Sequence, residues 1–574
     1  MPPQPSGDGN GAGSTNRNSD RQTRAGSERN TESERGEDIG QREERVHRLG
    51  IDGVHDAGGH AAVGGTSHRD LIVVSNRQPY SHEFDDGEVT VDRPTGGVTA
   101  GLDPVMRELG GTWIAWGDGD ADRAVVDDDG CVTVPPPQDS PGDEASTRGQ
   151  TDSGMMVSDG RYTLRRVWLS DAEVENYYYG FSNQVLWPLC HSFLGHVNCD
   201  EGFWKTYRAV NERFAGNAVE SASEDRLDET TIWIHDYHFG LAPRAIRREL
   251  GSTVDVAQFW HIPWPAWDTF RACPRRQDLL RGLLGCDRIG FHTDRYAENF
   301  LECVATAVDE ASVDWADRYV AYHDREIAVR ASPMGVPVGD VADTATTAEA
   351  TAFPPRLRNK HGIDGDTTLA VGVDRLDYSK GIPERLRALE SLLDQNPQLR
   401  GRLTFVQVGS VSREAIPAYR ELREEVLDCV ERLNERFGTD DWQPVVYTTA
   451  HLSRAELFGL YRDADLCIVS PLRDGMNLVA QEYVAAQGPD PGVLLLSRGT
   501  GAYDEFGEHA LAVDPCAVPD FATTIEDALA MPDDERRRRM ADLRRAVSEQ
   551  DLDSWVGQCL RPSGERPRVP HRPT

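Results

Sequence analysis

Short apolar runs alternate with amphipathic helical runs along most of this chain, beginning at Asp70. The apolar runs are typical of buried strands, and the alternation predicts parallel sheets covered by helices. The strand candidates are 70–75, 231–235, 254–260, 288–291, 327–331, 368–373, 403–408, 445–447, 466–470, 493–496 and 511–513. Because this number of strands exceeds what a single sheet usually contains, we predict two Rossmann-like, doubly wound α/β domains that face a central cleft.

The regions outside this pattern are polar and define the predicted domain boundaries. The first 67 residues contain no aromatic side chain and are rich in Gly, Ser, Asn, Arg and Glu, so we predict that they are disordered. An acidic stretch rich in Pro, Gly and Ser is expected to be a surface loop or a β-hairpin insertion. The predicted segments are a polar tail 1–67, an N-terminal domain 68–340 with the insertion at 118–155, a linker at 338–356, a C-terminal domain 341–535, a C-terminal helix 536–560 that packs back across the domains, and a disordered tail 561–574.

The charge balance excludes several classes of protein. The 574 residues carry a formal net charge of −35, which disfavours general nucleic-acid binding and docking on anionic lipid. Only three cations are lysines, Lys205, Lys360 and Lys380. Few lysines and many acids predict a salt-adapted protein; a GC-rich genome also favours Arg over Lys. With no long apolar stretch, no secretory signal and ten cysteines without a C-x-x-C pair, we expect a cytoplasmic protein with reduced cysteines.

Polar residues follow the predicted strands of the first half, where open α/β sheets bind ligands. Arg77 follows the first strand, and Gly97 then opens a helix, which forms either a phosphate cradle or a plain tight turn. Asp236 follows a later strand and is suited to holding sugar hydroxyls. The flanking His235 and His238 do not have the spacing and carboxylate context of a metal site.

Four further features leave a functional and a structural interpretation open. His261 precedes two prolines on a stiffened loop, where it lies either at the cleft or as a buried structural histidine. The aromatic stretch 177–188, with Trp113 and Trp116 near it in sequence, forms either a sugar platform or ordinary core. Arg375 and Lys380 lie five residues apart across a strand-to-helix turn and suit a diphosphate. Glu482, after the turn 475–477, is placed to hold ribose hydroxyls or simply lies in the start of a helix.

Five runs, in this order, resemble the trehalose-6-phosphate synthase family of retaining GT-B glucosyltransferases over about residues 70–558. The runs are Phe-Ser-Asn-Gln-Val-Leu-Trp-Pro at 181–188, Ile-His-Asp-Tyr-His at 234–238, His-Ile-Pro at 261–263, Arg-Leu-Asp-Tyr-Ser-Lys-Gly at 375–381 and Leu-Arg-Asp-Gly-Met-Asn-Leu-Val-Ala at 472–480. The resemblance implies transfer of glucose from a nucleotide-glucose to glucose 6-phosphate, giving trehalose 6-phosphate with retention of the α-configuration.

The resemblance also implies roles at matching positions. Arg375 and Lys380 would neutralise the donor diphosphate, and His261 and Asp474 would hold the transferred glucose; these are the implied catalytic residues. The implied donor-binding residues are Gly97, Arg375, Lys380, Asp474, Gly475, Met476, Asn477, Leu478, Val479 and Glu482. The implied acceptor-binding residues are Arg77, Trp116, Tyr178, Trp187, Asp236 and Arg413.

No metal or other cofactor is expected to be required, because a positioned Arg and Lys can stabilise the departing diphosphate. A separate phosphatase would act downstream, and a homo-oligomer is possible. Gln481 and Trp264 depart from the family pattern, where Lys and Phe are usual, and Gln481 would alter the donor contacts. The donor base stays open among uracil, guanine and adenine.

Three alternative functions remain at this point. A close relative would transfer glucose to glycerol 3-phosphate, and another alternative is a catalytically silent sugar-phosphate sensor. A glycogen-synthase-like enzyme would share the GT-B architecture but would not explain Arg77 and Arg413 as acceptor-phosphate ligands.

Overall fold

The computed structural model describes residues 70–93, 97–136 and 160–561. The predicted tail 1–67, the part of the predicted C-terminal tail beyond Arg561, and residues 137–155 of the predicted insertion lie outside these ranges. No helix in the described ranges is long and apolar enough to cross a membrane.

The strands and helices follow one another in the alternating order predicted from the sequence. The strands are β1 (Asp70–Val74), β2 (Ser81–Asp85), β3 (Glu88–Asp92), β4 (Thr112–Trp116), β5 (Cys131–Val134), β6 (Tyr162–Val167), β7 (Thr230–His235), β8 (Asp255–Trp260), β9 (Arg288–Phe291), β10 (Ala311–Asp314), β11 (Tyr319–Tyr322), β12 (Arg325–Ala331), β13 (Thr368–Arg375), β14 (Leu403–Ser410), β15 (Val445–Thr448), β16 (Leu466–Val469), β17 (Val493–Ser497) and β18 (Leu511–Val513). The α-helices are α1 (Gly97–Leu109), α2 (Asp171–Glu173), α3 (Trp187–Cys190), α4 (Glu201–Ser221), α5 (Ala242–Leu250), α6 (Trp267–Phe270), α7 (Arg276–Leu283), α8 (Asp294–Ala307), α9 (Val338–Thr344), α10 (Ala348–His361), α11 (Ile382–Gln395), α12 (Pro417–Phe437), α13 (Arg454–Asp463), α14 (Leu478–Ala486), α15 (Gly501–Phe506), α16 (Val518–Leu529), α17 (Asp533–Glu549) and α18 (Leu552–Leu560).

Two large sheets organise the described residues. The first has the order β10-β11-β12-β9-β8-β7-β1-β4-β6-β5, and its seven central strands from β12 to β6 are parallel. The second has the order β15-β14-β13-β16-β17-β18 and is parallel throughout. Antiparallel strands close both edges of the first sheet, with β5, from the predicted insertion, at one edge and β10–β11 at the other. The strand candidates did not include β4, β6, β10 or β11.

The apolar sequence of β1 explains why helices cover both faces of the first sheet. Successive side chains on a strand point to opposite faces. Ile72 and Val74 accordingly belong to one hydrophobic core, and Leu71 and Val73 belong to the core on the other side. A strand buried on both faces needs a continuous apolar run, which is what the sequence has here.

The C-terminal helices connect the two sheets. Met540 and Leu543 of α17 are buried in a core of the second sheet. Helix α17 ends at Glu549. The next helix, α18, packs Leu552 and Trp555 into the core against β1, β7 and β8 of the first sheet. The C-terminal segment therefore contacts both halves of the molecule.

One local prediction needs correction. The polar segment 338–356 is not an extended linker, since α9 and α10 occupy it; Thr347 caps α10 by accepting a hydrogen bond from Ala350 N, and Val341 and Leu357 are buried. In the described part of the insertion, β5 pairs antiparallel with β6. The aromatic run forms a thirteen-residue π-helix, Val174–Leu186, whose Tyr177, Phe181 and Leu186 are buried in the core.

Candidate active site

The carboxyl ends of the central strands from both sheets meet across one cleft, and several contacts join them. The backbone of Gly475, after β16, lies so close to the loop after β8 that a Cβ there would sit 2.1 Å from the carbonyl oxygen of His261. Tyr296 Oη of α8 donates to the carbonyl of Asp474 at 2.9 Å. The two sheets thus present their loops to each other at contact distance.

Lys380 and Asp474 form an ion pair at the centre of this cleft. Lys380 Nζ lies 2.5 Å from Asp474 Oδ2, and both side chains are about nine-tenths buried. Burial raises the pKa of the Asp474 carboxyl, but the charge of Lys380 outweighs this and holds the pKa below its usual value. Gly475 N and Asn477 Nδ2 also donate to this carboxylate, so it stays ionised and oriented.

Arg375 adds a second cation at the same strand end. It is exposed at the end of β13, and its guanidinium lies 5.5 Å from the ring centroid of Trp187. Among the described residues no carboxylate pairs with this guanidinium, whereas the ammonium group of Lys380 is paired with Asp474. An unpaired arginine in a cleft is suited to a bidentate contact with an anionic ligand.

Arg413 is buried and carries a network that joins the two sheets. Its Nη1 donates to Asp377 Oδ2 at 3.0 Å and to Tyr419 Oη at 2.6 Å, and its Nη2 lies 3.3 Å from Tyr237 Oη. Its guanidinium stacks 4.1 Å from the ring centroid of Trp187. Burial raises the pKa of Asp377, but Arg413 and its neighbouring cations outweigh this and lower it to about 2.

A third guanidinium, that of Arg77, forms a cationic wall of the cleft together with those of Arg375 and Arg413. Arg77 Nη2 donates to Tyr178 Oη at 3.0 Å, and Nη1 donates to Asp118 Oδ2 at 2.8 Å. Its guanidinium lies 5.9 Å from the Trp116 ring centroid. Because Arg77, Arg375 and Arg413 all act on Tyr178, this wall is a compact site for a multiply charged anion bordered by aromatic faces.

Asp236 and His261 lie together on adjacent strand ends of the first sheet. Asp236 has a positive φ of 74°, an uncommon conformation for a residue with a side chain. Its Oδ1 accepts from the backbone N–H groups of Tyr237 and His261. Burial raises the pKa of Asp236 to about 7 despite these hydrogen bonds. The strained backbone thereby holds a carboxylate at the cleft beside the His261 ring.

A small pocket is lined by residues from both halves of the molecule. Gly97, Arg454, Phe458, Leu478 and Glu482 are among its lining residues. Burial raises the pKa of Glu482 to about 7, although Arg454 opposes the shift. Apolar side chains beside one carboxylate are the groups that recognise a ring bearing hydroxyl groups.

The remaining predicted donor residues contribute mainly backbone or core contacts. The Met476 side chain is 4% exposed and belongs to a hydrophobic core. Asn477 caps α14 by accepting from Ala480 N, and Val479 packs against the same core. Gln481 is buried, and its Nε2 donates to the Met334 carbonyl at 3.0 Å, so its side chain braces the backbone beside the pocket.

The sequence interpretation missed the groups that orient these residues. Asp118 and Asp377 pair with Arg77 and Arg413, and Tyr237 reaches Arg413 from the opposite sheet. The Asp-rich stretch after β4 and the Asp within the 375–381 run were visible signals, but their partners were not. In the described ranges, no cluster of three or more His, Cys, Asp or Glu side chains could hold a metal ion.

Comparison with known proteins places this geometry in a family. The model of glycosyltransferase family 20 matches residues 69–562. The chain belongs to glycosyltransferase family 20. This family-20 chain is 33% identical over 489 residues to the Alpha,alpha-trehalose-phosphate synthase [UDP-forming] of Candida albicans, covering 84% of this chain and 95% of that protein.

Solved structures agree with this assignment. The E. coli protein bound with UDP-2-fluoro glucose superposes with a TM-score of 0.72 at 30% identity, covering 85% of this chain and 97% of the other. A Burkholderia xenovorans synthase in complex with glucose-6-phosphate gives a TM-score of 0.71 at 30% identity, covering 85% and 98%. The predicted GT-B fold, with two Rossmann-like domains facing a cleft, is confirmed for this family-20 chain.

Replacing Gly475 by Ala should destabilise the contact between the two loops of this glycosyltransferase. The added Cβ would collide with the His261 carbonyl, and overpacking of this kind costs about 1–3 kcal/mol. Denaturant unfolding and the glycosyl-transfer rate measure the effect, and both should fall. Gly216→Ala is the matched control, since a Cβ there meets no neighbouring atom. Equal behaviour of the two variants would show that the approach at Gly475 is unimportant.

Proposed function

We propose that this protein transfers glucose from UDP-glucose to glucose 6-phosphate, with retention of the α-configuration, and releases trehalose 6-phosphate and UDP. The observation that carries the proposal is a single cleft with two cationic sites side by side. One is formed by Arg375 and Lys380 and the other by Arg77 and Arg413, and both Arg375 and Arg413 lie against the ring of Trp187. Two neighbouring anion sites fit a reaction in which donor and acceptor both carry phosphate.

The donor is proposed to lie along the second sheet. Its base and ribose occupy the pocket beside Leu478, where Glu482 accepts hydrogen bonds from the ribose hydroxyls. Its diphosphate is neutralised by Arg375, Lys380 and a backbone contact at Gly97. Relatives named as UDP-forming synthases, and the structural neighbour bound with UDP-2-fluoro glucose, support uracil as the base.

The acceptor is proposed to lie against the first sheet. Its phosphate binds to Arg77 and Arg413, and its sugar lies between the rings of Trp116, Tyr178 and Trp187. Asp236 accepts hydrogen bonds from the sugar hydroxyls. Glycerol 3-phosphate would use the same phosphate ligands but would leave part of the aromatic surface uncovered.

The chemical step is proposed to proceed on one face of the donor glucose. The bond between the anomeric carbon and the β-phosphate oxygen breaks, and the acceptor hydroxyl forms the new glycosidic bond on the same face. The departing phosphate oxygen takes the proton of that hydroxyl, so UDP leaves protonated at that oxygen. Arg375 and Lys380 stabilise the charge that develops there, and Asp474 and His261 hold the glucose. We propose that no metal ion is required for this step.

The product suggests a setting for the reaction. A sugar phosphate becomes a neutral compatible solute once a separate phosphatase removes the phosphate. All ten cysteines are unpaired, which is consistent with the reducing cytoplasm as the proposed location. Together with the net charge of −35, this supports a role in osmoprotection of a salt-adapted cell.

A donor and acceptor panel tests the proposal. Nucleotide release is measured from UDP-, GDP- and ADP-glucose in molar salt, with and without glucose 6-phosphate or glycerol 3-phosphate. We expect release with UDP-glucose that depends on glucose 6-phosphate. Turnover with glycerol 3-phosphate alone would assign the sister activity, and silence with both acceptors would indicate a sensor.

Tyr178 should make acceptor binding sensitive to alkaline pH. Burial raises the pKa of this phenol, but Arg413 and Arg77 outweigh it and lower the pKa from 10.0 to about 8. As the pH rises through about 8, the phenol loses its proton and places a negative charge beside these guanidiniums. The KM for glucose 6-phosphate should therefore rise, whereas Tyr178→Phe should lack this alkaline rise. Identical pH profiles for the two proteins would refute this role of Tyr178.

The net charge predicts a requirement for salt. At low ionic strength, repulsion among the acidic side chains acts over longer distances and destabilises the folded protein. Dialysis from molar salt into dilute buffer should reduce activity and lower the melting temperature, and both should respond to added salt. Full activity and an unchanged melting temperature in dilute buffer would contradict the salt-adapted assignment.

A further inference from the structure

The ring of His261 contacts a second histidine ring, that of His235, and both pack against the indole of Trp555. His235 ends β7, and its Nδ1 lies 3.0 Å from Nε2 of His261, which follows the neighbouring strand β8. Trp555 of α18 covers both rings, with its centroid 6.2 Å from that of His235 and 5.9 Å from that of His261. The C-terminal helix thus contacts the pair directly.

Both histidines are neutral, so each carries one N–H group and one lone pair. Burial lowers the pKa of His235 to about 3. Burial also lowers the pKa of His261 well below its usual value, and the neighbouring rings of His235 and His292 add to the effect. One ring nitrogen of the 3.0 Å contact therefore donates and the other accepts.

The surroundings of His235 decide the direction of this hydrogen bond. His235 Nε2 is buried and has no partner among the described residues, and the same holds for Trp555 Nε1. An indole nitrogen can only donate. A bare Nε2 leaves only a lone pair of His235 without a partner, whereas an N–H there would be a buried donor without an acceptor, which is the rarer case in folded proteins. His235 therefore carries its proton on Nδ1 and donates to His261 Nε2.

This direction determines what His261 presents to the cleft. Because Nε2 of His261 accepts, its proton sits on Nδ1. That nitrogen has no hydrogen-bond partner within the described ranges, and it is not among the fully buried unpartnered atoms there. It therefore reaches the cleft, beside Gly475, whose backbone packs against that of His261, and beside Asp236, whose Oδ1 accepts from His261 N.

We propose that His235 is a positioning residue that holds His261 in the Nδ1-protonated tautomer, so that His261 offers an N–H donor to a hydroxyl oxygen of the transferred sugar. This inference rests on the proposed function for the identity of the sugar. The tautomer itself follows from the contact between His235 Nδ1 and His261 Nε2 and from the unpartnered, buried His235 Nε2.

Substitutions at His235 separate hydrogen bonding from packing. Asn has an amide nitrogen at the topological position of Nδ1, whereas the amide of Gln reaches the position of Nε2, and Leu has neither. His235→Leu should lower kcat roughly 10- to 100-fold, the range for removing a group that orients a functional histidine. The KM for glucose 6-phosphate should stay within about twofold. His235→Asn should recover most of the lost kcat, and His235→Gln should not. Equal kcat values for folded Asn and Leu variants would overturn the proposal.

A spectroscopic readout on the unmodified protein does not depend on activity or on the folding of variants. The protein is labelled with ¹³C,¹⁵N-histidine, and the His261 ring signals are assigned by their loss in His261→Gln. We expect shifts of the Nδ1-protonated tautomer, and shifts of the Nε2-protonated tautomer would overturn the inference. A protein with the expected tautomer but no glucosyl transfer would refute the proposed function alone, and active protein with the other tautomer would refute the inference alone.

Discussion

Replacing Lys380 by Ala should lower kcat by about 10²- to 10³-fold, the usual effect of removing a donor aimed at developing negative charge. Lys380 Nζ lies at the strand end where the donor diphosphate is proposed to bind, and it is nearly buried. The KM for glucose 6-phosphate should change far less, because the acceptor phosphate is assigned to Arg77 and Arg413. Steady-state kinetics with each substrate varied in turn measure this separation.

The chain offers a matched control for this variant. Lys360 is an exposed lysine of α10, so Lys360→Ala removes the same group at a site with no proposed role. Its kinetic constants should equal those of the unmodified protein. The melting temperature of Lys380→Ala must also be followed, because Asp474 loses its ion-pair partner in a buried site. An unchanged kcat in a folded Lys380→Ala protein would refute the assigned role.

Replacing Arg413 by Ala should affect both stability and acceptor binding. Asp377 would remain buried without its main counterion, and breaking a buried pair in this way costs about 3–5 kcal/mol. The KM for glucose 6-phosphate should rise roughly 10- to 100-fold, as expected for one charge-assisted hydrogen bond. Denaturant unfolding gives the first effect, and initial rates at varied acceptor concentration give the second.

A double variant distinguishes these two effects. In Arg413→Ala with Asp377→Asn, the unpaired buried charge is gone, so much of the lost unfolding free energy should return. The high acceptor KM should persist, because the cation is still absent. Recovery of both properties would mean that Arg413 acts only as the counterion of Asp377 and does not bind the acceptor.

The sequence predicted all six strands of the second sheet and five of the seven central strands of the first, because they are short apolar runs that end at polar residues. That alone located Arg375, Asp236 and His261 at strand ends, since parallel strands place their following residues along one edge. The central strands β4 and β6 were not among the candidates. The edge strands β10 and β11 escaped prediction because half of their side chains are solvent-facing and their apolar pattern is weak. The segment 338–356 was misjudged because its small polar residues resemble a linker until α9 and α10 are packed against the second sheet.

The partners in the site were beyond the reach of the sequence for a different reason. Arg413 and Asp377 are 36 residues apart, and Arg77 and Asp118 are 41 apart. Such pairs form only when loops from different strands converge, and no local pattern encodes them. The π-helix Val174–Leu186 was also unpredictable, because its composition is that of an ordinary aromatic helix.

One measurement tests the central claim most directly. The protein is incubated in molar salt with UDP-[1-¹³C]glucose and glucose 6-phosphate, and the product is followed by NMR while released UDP is quantified. The proposed function predicts one equivalent of UDP for each glycosidic bond and a non-reducing disaccharide phosphate with both anomeric centres in the α-configuration. A β-linked product, a reducing disaccharide, or UDP release without disaccharide would contradict it.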